Sequence, residues 1–245
     1  METQAFQVVT QLKNVVKRRE QGGVTFELHV PEFQLHGGEL VAIVGDSGCG
    51  KSTLLDMLAL VSRPTHSDAF QYFTDYDVKQ LWQQNKEKQL SHIRRQYLGY
   101  VLQTGGLLPF LTVFQNIQLP AKLNGLQNDE HITELATRFG IEKTLTKKPQ
   151  YLSGGQRQRV AILRALQHHP KVILADEPTA AVDKKNAYKI VEKFLELAKE
   201  NNTTIVMVTH DRALVSQFEN VIYYTFDLEA QSENFTKSTC RLGSA

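Results

Sequence analysis

Eight residues, Gly45-Asp46-Ser47-Gly48-Cys49-Gly50-Lys51-Ser52, with Thr53 after them, carry types and spacing suited to holding phosphate. Glycines let backbone N–H groups converge where a Cβ would clash. Those N–H groups, together with the positive end of a following helix, attract phosphate oxygens. Lys51 is placed to reach the outer phosphates, and the Ser52 hydroxyl to ligate a magnesium ion. Two acids, Asp176 and Glu177, follow one another at the end of the apolar run Val172-Ile173-Leu174-Ala175. Asp176 suits a magnesium ligand. Glu177 suits either the polarising of an attacking water or a second charge beside the metal. Gln103 and His210 each close an apolar run. An amide can touch a metal-bound water, and an imidazole can hydrogen-bond a terminal phosphate or simply cap a strand. Ser153-Gly154-Gly155-Gln156 reads as a helix start, either a plain cap or a second anion site.

These residues need elements to position them. Leu40–Val44 is a buried strand leading into the glycine-rich turn, and Leu54–Ala59 reads as the helix leaving it. Before them, a strand is expected over Phe6–Val16, ending in the basic cluster Lys17-Arg18-Arg19. Gln21-Gly22-Gly23 is a turn. Val24–Val30 alternates as a half-buried antiparallel strand that Pro31 ends or marks as an edge. His29 and His36 read as solvent-facing, because neither has a second ligand at metal spacing. A short strand is expected at Ala69–Thr74, a helix over Val78–Leu90, and a strand at Leu98–Leu102. Helices are expected at Leu111–Leu123, at Glu130–Phe139 and from Ser153. Lys171–Glu177 reads as a buried parallel strand ending in two acids and Thr204–Thr209 as another apolar strand, with an amphipathic helix over Asn186–Glu200 between them. Val221–Phe226 reads as the last strand, with a polar, loosely held tail from Asp227. Strands alternating with helices, with functional residues at strand carboxyl ends, make an α/β doubly wound core with its ligand at that edge. The stretch from about 104 to 165 is a helical insertion in that core.

Composition narrows the classes. With 245 residues and 41% apolar content the chain can bury a sizeable core. A net charge of +2 gives no field for nucleic acid, and none is expected as a partner. Two cysteines, Cys49 and Cys240, lie far apart in the chain, which argues against a disulfide framework and fits a reducing compartment. No run approaches a membrane span, and the start lacks a secretory pattern.

Taken together the motifs resemble the ATPase subunit of ABC transporters, over about residues 5–227 and in that family's order. They are the phosphate loop at Gly45–Thr53, Gln103, Leu152–Gln156, Val172–Asp176 with Glu177, Ala180-Ala181-Val182-Asp183, and His210. The resemblance implies a P-loop NTPase core with a parallel sheet, an antiparallel β subdomain and an inserted α-helical subdomain. It divides residues 1–245 into a core (about 5–103 and 166–227), helices (about 104–165) and a tail (228–245). It further implies ATP and Mg²⁺ as ligands and a head-to-tail homodimer. There the phosphate loop of one copy faces Ser153, Gly154, Gly155 and Gln156 of the other, with Asp183 in the D-loop.

Within the family, Gly99–Gln103, Leu107–Val113 with Asn116-Ile117, and Ala175–Thr179 are similar to the lipoprotein-release and macrolide-export group. That implies an integral membrane permease docking near Gln103–Asn116, and a place at the cytoplasmic face of the membrane. Leu107, Leu108, Phe110 and Phe114 would either meet the permease or fill the helical core. A complex signalling to cell-wall hydrolases and a soluble ATPase acting on nucleic acid or ribosomes are the alternatives. One departure stands out. The family places an aromatic residue before the second strand to stack on adenine, whereas this chain has Val16-Lys17-Arg18-Arg19-Glu20. Arg19 falls closest and can stack on a base. Leu163 and Val182 are apolar swaps without a chemical consequence at this level.

Overall fold

A computed structural model describes residues 7–127, 129–182 and 184–243. Asp183 lies outside the described residues. The chain opens with β1 (Val8–Gln21) and β2 (Val24–His36), a long antiparallel hairpin turning at Gly22-Gly23. Next come β3 (Leu40–Val44), α1 (Lys51–Leu58), β4 (Ala69–Tyr72), β5 (Tyr76–Asp77), α2 (Val78–Gln83) and α3 (Glu87–Tyr97). β6 (Leu98–Val101), α4 (Val113–Leu123), α5 (Asp129–Arg138) and α6 (Gly154–Leu166) follow. β7 (Val172–Asp176), α7 (Lys184–Glu200), β8 (Thr204–Thr209), α8 (Arg212–Val215), β9 (Val221–Ser232) and β10 (Phe235–Leu242) complete it.

Residues up to His92 and from Val208 onward form one compact unit, and Ile93–Met207 a second. In the first unit the strands lie in the order β5-β4-β1-β2-β10-β9-β3. β10 runs parallel to β2 and antiparallel to β9, and β3 runs parallel to β9. Leu12, Val15, Leu28, Val30, Phe33 and Leu35 are fully buried. Phe33 packs on Tyr224 with ring centroids 4.3 Å apart. The Tyr72 hydroxyl donates to the Leu58 carbonyl at 2.6 Å, fastening the end of α1 to β4. In the second unit the order is β8-β7-β6, with β6 and β7 parallel from Leu98↔Val172 to Val101↔Ala175. Val172–Ala175 is wholly buried, as its unbroken apolar run requires.

Four boundaries differ from those read in the sequence. β1 does not stop at Val16 but runs through Lys17, Arg18 and Arg19, which pair with Leu28, Glu27 and Phe26 of β2. Charge does not end a strand that has a wet face and long side-chain stems to lay along it. Pro31 neither ends β2 nor marks its limit. The β10 ladder stops at His29, and β1 turns to positive φ at Asn14, so the missing N–H interrupts no pairing there. The single helix expected over 78–90 is two, separated at Asn85, whose φ is 52°.

The tail is the largest difference. Instead of hanging loosely, residues after Asp227 extend β9 and return as β10 between β9 and β2. Its polarity is satisfied across the hairpin. The Thr239 hydroxyl donates to Glu229 at 2.6 Å, and Lys237 and Arg241 pair with the same carboxylate at 3.0 and 3.2 Å. Polar composition predicts looseness only where such partners are lacking.

Candidate functional site

The buried strand β3 delivers the chain into the loop 45–50 beside β9, with Val44 opposite Thr225. Gly50 ends the loop at φ 111°, a conformation side chains avoid. A Cβ there would also lie 2.9 Å from the Phe26 ring. Gly50 is the N-cap of α1 and has no side chain, so it supplies no side-chain cap to the first turn of that helix. The positive end of the helix faces the loop. Lys51 is buried and donates to the carbonyls of Gly45 at 2.7 Å and Asp46 at 2.6 Å, with the Cys49 sulfur 3.9 Å away. The ammonium therefore holds the loop closed around itself. Ser52 is exposed, while Thr53 is buried under the turn.

A cleft of about 350 Å³ opens on this loop, lined by Gly45, Asp46, Ser47, His210, Thr225 and Phe226. It thus joins His210, which follows the end of β8, to the loop 45–50. Arg212 also borders it, with its guanidinium 5.6 Å from the centre of the Tyr223 ring. Arg19 sits opposite Phe26 in the β1–β2 ladder and donates to Asp56 of α1 at 3.2 Å. Both ends of that pair are exposed, so it contributes little stability by itself.

In the second unit, Gln103 and Glu177 meet although 74 residues apart, the Gln103 amide donating to the carboxylate at 3.0 Å. Glu177 has φ 43°, a left-handed backbone that costs a non-glycine residue on the order of 1–2 kcal/mol. The cost is borne just past the half-buried Asp176, at the end of β7. The loop that carries Gln103 is fastened by Arg164 of α6, whose guanidinium donates to the carbonyls of Gly106 and Gly105 at 2.7 and 3.0 Å. Burial holds the Arg164 guanidinium below its ordinary pKa. Beyond it, Asn116 is fully buried and ties the stretch down by accepting from the Leu108 N–H and donating to the carbonyls of Leu108 and Thr112. Phe110 projects from this stretch 67% exposed, whereas Leu107, Leu108 and Phe114 are half-buried.

Ser153 caps α6 in a reciprocal box. Its hydroxyl accepts from the Gln156 N–H at 3.3 Å, and the Gln156 side chain accepts from the Ser153 N–H at 3.0 Å. The cap reading is therefore correct, and it leaves the Gly154 and Gly155 N–H groups at the helix end, beyond reach of any intrahelical carbonyl. A Cβ on Gly155 would lie 2.8 Å from Val182, and one on Gly154 3.2 Å from Ala181. Val182 thus packs on the helix start. Ser238 of β10 donates to the Cys49 carbonyl at 2.6 Å, and Phe26 closes over Gly50. The sequence gives no signal for Ser238, and shows Phe26 only as one apolar position in an alternating strand.

Among the described residues no three His, Cys, Asp or Glu side chains cluster as a metal site. No helix among them is long and apolar enough to cross a membrane.

A family model described as "ABC transporter" matches residues 28–180. The lipoprotein-releasing system ATP-binding protein LolD of Legionella pneumophila (strain Lens) is 38% identical over 219 residues, covering 88% of this chain and 94% of that protein. The uncharacterized ABC transporter ATP-binding protein MJ0796 of Methanocaldococcus jannaschii is 37% identical over 235 residues, covering 91% and 95%. A dimeric structure of the MJ0796 cassette in a post-hydrolysis state, bound to ADP and Pi, matches with a TM-score of 0.69 and 34% identity, over 87% of this chain and 93% of that one.

Proposed function

The chain belongs to the ABC transporter family, and from that membership we propose that two copies of it clasp ATP head to tail and drive a partner membrane permease. It is an ATP-binding subunit with the P-loop NTPase fold and an ATPase. The MJ0796 cassette is dimeric with ADP and Pi bound, which supports the paired arrangement. The LolD relative serves a lipoprotein-releasing system, which supports lipoprotein release or a related export or force-transmitting task at the cytoplasmic face of a membrane.

In this reading Lys51 and the N-terminal end of α1 hold the phosphates, and His210, which lines one cleft with Gly45, Asp46 and Ser47, reaches the terminal one. Glu177 polarises the attacking water. Ser153, Gly154, Gly155 and Gln156 of the second copy, with Asp183, complete the pocket. Magnesium fits the donors, which are oxygens: the Ser52 hydroxyl, the Asp176 carboxylate and the Gln103 amide oxygen, whose nitrogen is already given to Glu177. Magnesium held with phosphates needs only one or two carboxylates, and when bound it neutralises charge on the phosphate oxygens.

The observation that carries the coupling is the 3.0 Å bond between Gln103 and Glu177. One loop touches the carboxylate assigned to water activation and runs within a few residues into the exposed Phe110. Phe110→Asp is expected to abolish co-purification of a membrane protein with the tagged chain from detergent extracts, while ATP binding stays as in the wild type. Recovery of ribosomes or DNA in place of a membrane protein would support the soluble alternative. A partner bound to cell-wall hydrolases would support the signalling one.

Arg19 replaces the adenine-stacking aromatic, leaving Asp56 to lie against the base. Arg19→Ala should weaken ATP binding roughly 2–5-fold, in keeping with a cation–π contact of about 0.5–1 kcal/mol at an exposed site. An unchanged dissociation constant in titration calorimetry removes that role.

A further inference from the structure

We propose that Cys49 and Cys240 form a reversible intramolecular disulfide that closes the phosphate loop to nucleotide. The inference rests on the reading of loop 45–50 as the phosphate site. The two cysteines are 191 positions apart in the chain, yet the fold brings the loop that carries Cys49 against β10, which carries Cys240. Ser238 and Cys240, two residues apart on β10, share a face, and Ser238 donates to the Cys49 carbonyl at 2.6 Å. Cys240 pairs directly with Phe226 of β9, which places their Cβ atoms on that face roughly 4.5–5.5 Å apart. The open side of Gly45 meets both neighbours. A Cβ built there lies 2.9 Å from the Cys49 sulfur and 3.5 Å from the Phe226 Cβ. The Cys49 sulfur therefore lies near the corner where Gly45 and Phe226 meet, and Phe226 is the strand partner of Cys240. Burial, and after it the neighbouring Cys49 and Asp227, push the Cys240 thiol up.

Both thiols are free, Cys49 half-buried in the loop and Cys240 buried in β10. Cys49 lies between Gly48 and Gly50, at φ 81° and 111°. That pair lets it swing toward a partner fixed in β10 without moving α1. The oxidant is a small-molecule disulfide such as oxidised glutathione. The Cys49 thiol loses its proton and attacks one sulfur, forming a mixed disulfide and expelling one glutathione thiolate. Cys240 then loses its proton and attacks the Cys49 sulfur, expelling the second. Two protein thiols are oxidised, one small disulfide is reduced to two thiols, and the protons go to the leaving thiolates. With Cys49 pulled onto β10, the loop N–H groups on either side of it no longer converge on a phosphate.

The test treats the purified full chain with oxidised glutathione, maps peptides without reduction, and titrates a fluorescent ATP analogue before oxidation, after it, and after dithiothreitol. The expected result is a linked Cys49–Cys240 peptide carrying no glutathione, at least a tenfold loss of nucleotide affinity, and recovery on reduction. Bound MgATP should slow the linkage. Cys240→Ala should bind nucleotide normally when reduced, and should stop at a glutathione adduct on Cys49. A wild-type chain that also stops at that adduct overturns the proposal, as does a linked chain that still binds nucleotide fully. The peptide map of the wild type decides the linkage even if the variant folds poorly. A reduced chain that never binds nucleotide, whatever its peptide map, instead refutes the reading of the loop.

Discussion

Replacing Glu177 with Gln is expected to cut ATP turnover by roughly 10²–10⁴-fold, the usual contribution of a positioned general base, and to leave ATP binding intact. The substitution is informative because it changes little else. Gln keeps an oxygen that can still accept the hydrogen bond from Gln103, now seen at 3.0 Å. It keeps the length of the side chain and asks the same backbone, φ 43°, of a residue no bulkier. Asp176, one residue back, retains its charge. What is lost is the capacity to take a proton. Phosphate release measured beside the ATP dissociation constant separates the two effects. Turnover near the wild-type rate would return Glu177 to the alternative of a second charge by the metal, and unchanged affinity with lost turnover is the expected pattern.

Lys51→Ala should have the other large effect, on binding. In the structure the ammonium is buried and shared between the Gly45 and Asp46 carbonyls. A phosphate entering the loop meets a positive charge already desolvated and already aimed inward. Hydrogen bonds to charged groups contribute roughly 1.5–3 kcal/mol each, so losing the ammonium should weaken MgATP binding at least about 100-fold and make hydrolysis undetectable. Lys51→Met separates two components, because its stem fills the same space without donating. If Met restores the affinity, packing of the loop rather than charge was responsible, and the phosphate role of Lys51 is refuted. Calorimetric titration of ATP into both variants decides between them.

Most of the nucleotide chemistry was legible in the chain because it is local. A strand, a glycine turn and a helix start lie within some twenty consecutive residues, and the conformations they require are written in the residue types themselves. The same holds for the Ser153 cap, where the hydroxyl and its partner at Gln156 are three residues apart. The buried strands β7 and β8 were legible as unbroken apolar runs. The tail was misread for an instructive reason. Glu229, Lys237, Thr239 and Arg241 read as solvated one by one, and become a strand pair only when the hairpin sets them against each other.

The sequence by itself determined the family and the fold class, since each depends on short-range spacing or on motif order, and it set the residues proposed to hold phosphate on one turn. Tertiary structure alone decided that Gln103 reaches Glu177, that Val182 packs on Gly155, and that Cys240 comes to lie behind Cys49. Those contacts depend on which strands become neighbours. A strand's pattern of buried and exposed positions states only that it has a covered face, and any of several partners could cover it. The choice among them is made by the packing of the whole chain.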